Sequence, residues 1–409
     1  MFHIRAARAN GDMSLAENQI KIKKIKLKEL ASWAANLPNH PAFQKVVPIS
    51  LTRAVSQSKN PCGRPEDVAL FVAFNADQCV GYHGLLPAVL KQGHRLSRVH
   101  WATTFFVAPD FRRKGIGKYL LQEIKNSKID FVVCQITESA RRAYRSAGLK
   151  DLGQLTYFQL RVDRLDFVPR FFDATADRLR RQGPRTLSGR LGIIGWLQRP
   201  IYRLAKRLFY RAATRRSDHR PERKFSWKIV DRIDPTLFGE SNRQLTGATF
   251  FREIETINWM LSYPWVISGH PRKADMPRYY FSDVRDLFRY VAIEINSVPR
   301  GGPLGFLVLS ISDKREKTRV KILDFHFNNP ADDEIAVYLA LKHAAIYLAD
   351  RIEYPDSLAV YFNRRAEFRK LIKKQNRLYM FGPRSSDSPL AACSAKIAFD
   401  YCDGDTSLA

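Results

Sequence analysis

Residues 107–121, VAPDFRRKGIGKYLL, combine glycines and cations in a pattern that favours binding of a phosphate group. A strand ends near Val107, a loop carries Gly115 and Gly117, and a helix follows. The first N–H groups of a helix have no partner within it and carry positive partial charge, and glycine lets an anion approach the backbone. Four cationic side chains flank the glycines: Arg112, Arg113, Lys114 and Lys118. We therefore expect residues 112–118 to bind a diphosphate.

Two well-known phosphate-binding loops do not fit this segment. The dinucleotide-binding pattern Gly-x-Gly-x-x-Gly requires a third glycine where this chain has Leu120. The P-loop requires a Gly-Lys-Ser/Thr end at a longer spacing, and the segment has none. A different family of anion-binding loops must therefore be considered.

Alternating strands and helices surround this loop. Residues 18–35 change from a strand pattern to a helical one, and 91–98 form a basic connector. Strands are predicted at 67–74, 78–90, 99–107, 131–137 and 155–162, and helices at 118–127 and 139–146. The second helix lies in the run TESARRAYRSAGL, which contains Tyr144. The pattern indicates an α/β domain with a mixed sheet.

These two runs resemble the GNAT family of N-acetyltransferases. The family's cofactor motif has Arg or Gln followed by x-x-Gly-x-Gly/Ala, after a strand that ends Val-x-Pro. The matching positions here are Val107, Pro109, Arg112, Gly115 and Gly117. A second family pattern, Asn-x-x-Ala-x-x-x-Tyr-x-x-x-Gly-Phe, is matched at Ala140, Tyr144 and Gly148, but Thr137 and Leu149 depart from it.

The resemblance implies a GNAT fold in which the parallel strands 99–107 and 131–137 splay apart around acetyl-CoA or another acyl-CoA. The diphosphate would lie on the 112–118 loop, which includes Ile116. Backbone groups of Phe106 and Val107 would hold the pantetheine arm and the acyl carbonyl. Tyr144 would stand near the sulfur and protonate the leaving thiolate.

The base that accepts the amine's proton is not identified by any motif. Glu138 follows the fourth strand and is the first candidate, ahead of His83 and His100. Ser56, Gln57 and Asn60 fall where the family places the helical segment over the acceptor, so they are candidate acceptor-binding residues. A capped turn with solvated side chains explains those three residues equally well.

The second half of the chain repeats the order of elements without the loop. Strands are predicted at 288–295, 304–312 and 319–327, a long helix at 332–350, and late strands at 357–362 and 396–402. Where the glycine loop should be, the chain reads NNPADDEIAVY, and its carboxylates Asp332, Asp333 and Glu334 would repel a diphosphate. We expect a tandem of two GNAT-like domains whose degenerate second member does not bind CoA.

The proposed boundaries are a disordered extension at 1–17, the acyltransferase domain at 18–163, a basic helical linker at 164–224, and the degenerate domain at 225–409. The linker contains a helix at 198–216 with a predicted apolar stripe of Ile201, Leu204, Leu208, Phe209 and Ala212. This helix packs on a domain, lies on an anionic membrane surface, or binds RNA.

Composition limits the remaining possibilities. The net charge of +28 makes contact with polyanions plausible. Five widely spaced cysteines indicate neither a disulfide framework nor a metal site. No segment has the apolar length of a membrane-spanning helix or a signal peptide, so we expect a cytoplasmic protein, with peripheral contact at the inner membrane surface as the variant.

The sequence therefore predicts an acyl-CoA-dependent N-acetyltransferase that acts by direct transfer on a small amine or an amino sugar or glycan precursor. Two alternatives stay open. One is a Fem-type, tRNA-dependent aminoacyl transferase, and the other is a non-catalytic protein that binds RNA or a membrane surface, although no nucleic-acid motif is present.

Overall fold

The computed structural model describes residues 20–165, 187–215, 224–235, 248–269, 279–281, 284–298, 301–314, 317–382, 388–393 and 397–404. Side chains of 187–199, 314 and 392–393 are outside this description. The predicted extension at 1–17 and much of the predicted linker also lie outside the described residues.

The first half begins with a strand and two helices and continues as a meander. Its elements are β1 (Ile20–Lys26), α1 (Leu27–Asn36), α2 (Leu51–Ser58), β2 (Val68–Asn75), β3 (Gln78–Gln92), β4 (Arg95–Val107), α3 (Ile116–Asn126), β5 (Phe131–Cys134), α4 (Glu138–Ser146) and β6 (Lys150–Arg161). One 3₁₀ turn, Pro109–Phe111, precedes the cationic loop.

The second half follows a long helix. Its elements are α5 (Leu187–Arg215), β7 (Phe225–Val230), β8 (Ala248–Phe251), α6 (Ile254–Ser262), β9 (Ile267–Ser268), β10 (Val284–Arg285), β11 (Phe288–Ser297), β12 (Pro303–Lys314), β13 (Lys317–Phe327), α7 (Asp333–Ile346), β14 (Arg351–Pro355), α8 (Ala359–Asn363), α9 (Ala366–Arg369), β15 (Ile372–Gly382), α10 (Pro389–Cys393) and β16 (Ile397–Ala398).

One mixed sheet joins the two halves. Its strands lie in the order β1-β2-β3-β4-β5-β15-β6-β14-β13-β12-β11-β7, with β8 on β3 and β16 on β8. The late strand β15 is inserted between β5 and β6, and β6 lies in turn between β15 and β14. Each half therefore contributes a strand to the middle of the other half's sheet.

Both halves use the same local order. In the first, the antiparallel strands β2, β3 and β4 are followed by α3 and by β5, which is parallel to β4. In the second, β11, β12 and β13 are followed by α7 and by β14, which is parallel to β13. The predicted repeat in the order of elements is present in the fold.

The helices that follow the third strand of each half are fixed by apolar burial. Leu120, Leu121 and Ile124 of α3 are buried, as their 3.6-residue spacing predicts. The α7 helix is apolar on almost every side because the sheet and other helices enclose it. Both helices therefore hold the strand ends beside them in place.

Several predicted boundaries were wrong. Residues 91–98 are not a connector, because β3 and β4 continue as a hairpin that turns at Gly93, whose φ is +57°. The strand predicted at 131–137 ends at Cys134, and the strand predicted at 155–162 begins at Lys150. Residues 357–362 are helical rather than extended, and the late strand is reduced to two residues.

The apolar stripe predicted for the linker helix was also wrong. Leu204 and Leu208 are 54% and 58% exposed, whereas Lys206 and Tyr210 are buried. The ammonium of Lys206 lies 2.6 Å from a carboxylate oxygen of Asp350, which fixes the rotation of α5 against the second half. Within the described residues, no helix is long and apolar enough to span a membrane.

Candidate active site

The cationic loop has the backbone shape that an anion site needs. Arg113 and Gly115 adopt positive φ values of 63° and 82°, and Gly115 is the residue that precedes the first turn of α3. The first N–H groups of that turn have no partner within the helix. The loop's cations, Arg112, Arg113, Lys114 and Lys118, are all solvent-exposed. These residues therefore suit a diphosphate such as that of CoA.

Gly117 holds α3 close to the sheet. A Cβ atom at this position would lie 3.1 Å from Cζ of Phe105 on β4, closer than ordinary contact. Ile116, between the two glycines, is buried among the residues that pack α3 on the sheet. The loop is thus fixed against the end of β4, where Arg112 Nε also donates to the carbonyl of Val107 at 3.2 Å.

The strands β4 and β5 separate next to this loop. Their parallel pairing covers only His100–Ala102 against Phe131–Val133. Beyond that point β4 continues to Val107, with Phe106 and Val107 paired only to β3 on their other side. The backbone of β4 from Thr103 onward therefore faces an opening on the β5 side.

Tyr144 and His83 form a buried hydrogen-bonded pair beside the opening. Nδ1 of His83 lies 3.0 Å from the carbonyl oxygen of Gly84, so this nitrogen carries the proton and donates it. Nε2 is then an acceptor, and the hydroxyl of Tyr144 donates to it at 2.9 Å. Burial lowers the pKa of His83 to about 4, so the imidazole is neutral near pH 7.

The sequence predicted a role for Tyr144 but did not predict its contact with His83. Tyr144 is 2% exposed and packs its ring on Phe105. The hydroxyl of Tyr144 donates to His83, which the sequence indicated only as a candidate base. His83 is a poor base because its pKa is so low. His83 instead positions Tyr144. His100 is a poor base as well, because burial lowers the pKa of its imidazole.

A cavity of about 1080 Å³ lies at the other side of the opening. Thr103 and Cys134, each next to the last paired residues of β4 and β5, line it, as does Glu138 at the start of α4. Side chains from the second half form much of its wall, among them Arg285, Arg319, Lys321 and Glu353. The cavity therefore extends from the strand opening to the junction of the two halves.

The predicted acceptor-binding residues lie on α2 or just after it, and they are not part of the cavity wall. Ser56 and Asn60 are buried, and their side chains donate to the backbone carbonyls of Tyr263 and Pro87 at 2.6 Å and 2.8 Å. Gln57 is buried too, and none of the three lines the cavity. Two of these residues use their hydrogen bonds to hold the α2 segment on the rest of the protein, and their role in acceptor binding stays a prediction.

Two residues one turn earlier on α2 line the cavity instead. They are Ser50, which caps the helix, and Arg53. The guanidinium of Arg53 stacks 3.6 Å from the centre of the Trp265 ring and donates to the hydroxyl of Tyr279 at 2.7 Å. No sequence signal could have found this group, because its partners come from more than 200 residues away.

Comparison with known proteins identifies the part of the chain that holds the loop. Residues 66–150 match the model of the acetyltransferase (GNAT) domain. These residues are a GNAT domain. They contain the cationic loop, both members of the buried pair and Glu138, and this domain indicates that the protein is an acyltransferase. Part of the cavity wall, including Arg53 and the groups of the second half, lies outside the GNAT domain.

Three solved structures resemble the whole chain at low identity. A GNAT N-acetyltransferase from Anabaena variabilis is 13% identical, with a TM-score of 0.47, over 92% of this chain and 74% of that one. An N-myristoyltransferase from Saccharomyces cerevisiae with bound myristoyl-CoA is 9% identical, with a TM-score of 0.47, over 89% and 82%. A tandem GNAT protein from the clavulanic acid biosynthesis pathway is 10% identical, with a TM-score of 0.44, over 90% and 99%.

A search of curated protein sequences found no match to this chain. Among the described residues, no group of three or more His, Cys, Asp or Glu side chains could hold a metal ion.

Proposed function

We propose that this protein transfers an acyl group, acetyl in the first instance, from acyl-CoA directly to an amine bound in the 1080 Å³ cavity. One observation carries the proposal. The opening between β4 and β5 has the cationic loop beside the end of β4 and the cavity at Thr103 and Cys134. A donor held by the loop and an acceptor held in the cavity would meet there.

The GNAT domain supplies the groups that would hold the donor. The N–H groups at the start of α3 and the loop cations would bind the diphosphate. The edge of β4 at Phe106 and Val107, which β5 does not cover, would bind the amide-rich pantetheine arm, and Arg112 would have to release the carbonyl of Val107 for that group to take part. The thioester supplies an activated acyl carbon. The protein must place that carbon against the amine nitrogen. It must also accept a proton from the amine and stabilise the departing sulfur until that sulfur gains a proton.

Glu138 is the residue we propose as the base. It is exposed, stands at the first turn of α4 and lines the cavity beside Gln135 and Ile136. As the amine nitrogen bonds to the acyl carbon, the nitrogen must lose a proton, which the carboxylate of Glu138 would accept. The C–S bond breaks in the same transfer, and the sulfur leaves as a thiolate.

Tyr144 is the residue we propose to stabilise that thiolate. Its hydroxyl would have to turn from Nε2 of His83 toward the sulfur, because this nitrogen accepts the hydroxyl's proton in the present arrangement. His83 has no N–H on the side of Tyr144 and so cannot stabilise a tyrosinate. We therefore propose that Tyr144 acts mainly by donating a hydrogen bond to the sulfur, with the final proton coming from solvent or, by way of Glu138, from the amine.

Calorimetry with acetyl-CoA tests the proposal. The variant Arg113→Glu/Lys114→Glu reverses two exposed loop charges and leaves Gly115, whose φ is positive, in place. The matched control, Lys125→Glu/Lys128→Glu, makes the same charge change at the far end of α3. We expect the loop variant to bind about tenfold or more weakly and the control to bind like the wild type, since the charges act within the first turn.

Equal affinities for the two variants, or no binding by a folded wild type, would contradict the donor site. Binding of tRNA at physiological salt without binding of acetyl-CoA would instead favour the Fem-type alternative. Release of free thiol on addition of an amine, followed spectrophotometrically, then measures transfer itself.

A further inference from the structure

One side of the cavity lies at the junction of the two halves and is formed by Arg285, Arg319, Lys321 and Glu353; we call it the floor. Residues of a strand point alternately to its two faces, and Val320 and Ile352 pack against the helical layer. Arg319, Lys321 and Glu353 take the opposite face of β13 and β14 and line the cavity. Arg285 joins them from β10.

Among the described residues that line this cavity, positive charge is in excess. The cationic side chains among them are Arg53, Arg141, Arg285, Arg319, Lys321 and Arg377, and the carboxylates are Glu138, Asp286, Asp313 and Glu353. Glu353 already accepts hydrogen bonds from Gln159, Arg319 and Tyr401. Asp313 accepts one from the N–H of Leu287. Glu353 and Asp313 thus already accept hydrogen bonds from other groups of the protein.

The cations of the floor lower one another's pKa values. Burial, together with the guanidinium groups of Arg319, Arg285 and Arg377, lowers the pKa of Lys321 to about 8, although Glu353 acts in the opposite direction. Burial and Arg319 also lower the pKa of Arg285, against a smaller effect of Asp313. In both residues burial is the largest cause and the neighbouring guanidinium groups add to it, so an anion bound beside them would stabilise their charged forms.

Two guanidinium groups at this floor have hydrogen-bonding capacity to spare. Within the described part of the chain, Nη1 of Arg285 and Nε of Arg319 are buried and have no hydrogen-bond partner. Buried donors are almost always satisfied in folded proteins, and leaving one unsatisfied is costly. A ligand in the cavity that accepts hydrogen bonds would offset that cost once the two guanidinium groups turned to present these nitrogens to it.

We propose that Arg285 and Arg319 bind an anionic group, a carboxylate or a phosphate, on the acceptor, so that the enzyme acylates amines that also carry such a group. The planar guanidinium matches both oxyanions in two-point hydrogen bonds. A protonated amine without an anionic group would add positive charge to a site that already has an excess. This inference rests on the proposed function for its meaning, but the anion site itself is testable without it.

Binding of small anions tests the site directly. The background is the full chain with Arg113→Glu/Lys114→Glu, which removes the other anion-binding loop from the measurement. Thermal unfolding is followed with rising inorganic phosphate or acetate at constant ionic strength, with chloride as the filler. We expect a saturable rise in the unfolding temperature with at least one of the two anions, and which anion acts distinguishes a phosphate site from a carboxylate site.

Arg285→Gln and Arg319→Gln, made singly in that background, should each remove most of the rise. Arg289→Gln, an exposed arginine on β11 whose guanidinium donates to Tyr347, is the matched control and should keep it. Two single variants guard against the misfolding of either one, and circular dichroism verifies their folds. Equal shifts in all variants, or none above chloride in the parent, would overturn the inference.

Turnover gives the second readout. Glucosamine 6-phosphate is compared with glucosamine, and glycine with glycinamide, in the wild type. We expect the anionic member of at least one pair to have kcat/KM about tenfold or more higher, and Arg285→Gln to reduce that preference through KM. Equal use of both members, with donor binding intact, would sink this inference alone. Loss of donor binding would instead sink the proposed function.

Discussion

Removing one oxygen atom, in Tyr144→Phe, separates the structural role of the buried pair from its chemical role. The ring of Tyr144 keeps its packing on Phe105, so no cavity is created. What is lost is the donor to Nε2 of His83, which becomes a buried acceptor without its partner. Such a loss costs about 1–3 kcal/mol of unfolding free energy.

The same change should lower kcat if Tyr144 assists the departing thiolate. General acid assistance contributes about 10²–10⁴-fold, and the absence of an N–H on His83 toward Tyr144 places our expectation near the lower end, about 10². Binding of acetyl-CoA should be nearly unchanged. Thiol release at saturating donor gives kcat, and urea unfolding gives the stability.

Tyr354→Phe is the matched control. Its hydroxyl is also buried but, among the described residues, has no hydrogen-bond partner, and burial raises the pKa of its phenol. Removing it should leave stability unchanged or improve it, with activity intact. If Tyr144→Phe loses stability but keeps kcat within about threefold, the pair is structural and our proposed role for Tyr144 is wrong.

Three further predictions follow from other groups. Glu138→Gln should lower kcat about 10²-fold while calorimetric binding of acetyl-CoA is retained, and full activity would remove Glu138 from the mechanism. The pKa of His83 is about 4 in the fold against an ordinary value of 6.5, so the unfolded chain binds more protons between these values and stability falls as pH drops through them. Urea unfolding should show the wild type losing about 2 kcal/mol more than His83→Gln between pH 7 and pH 5, and parallel losses would contradict this. Lys206→Met breaks the buried pair with Asp350 and should cost about 3–5 kcal/mol in the same assay, whereas a cost below about 1 kcal/mol would show the pair to be dispensable.

The parts of the site that sequence predicted are those encoded within a few residues. The loop needs only a strand end, Gly115, Gly117 and the apolar spacing of α3, and all of these lie within the eighteen residues 107–124. Such local patterns can be recognised in the sequence without knowledge of the tertiary structure. The placement of the loop at the end of β4 could therefore be foreseen.

The rest depends on contacts between distant segments. His83 and Tyr144 are 61 residues apart, and the partners of Arg53 lie beyond residue 260. On α2 and α5 the helices were foreseen in part, but their buried faces were not. Lys206 is buried because Asp350 meets it, while Leu204 stays exposed, and no periodicity in the helix itself contains that information.

The exchange of strands between the halves has a consequence for synthesis on the ribosome. The edge of β5 that β15 covers stays open until residues 372–382 have left the exit tunnel, some 240 residues after β5 itself. At about 5–20 residues per second that interval is on the order of 10–50 s. An open strand edge is a template for association with other chains. A nascent or truncated chain that stops short of β15 is therefore a natural client for chaperones, and expressing the first half alone should give an aggregating product rather than a minimal enzyme.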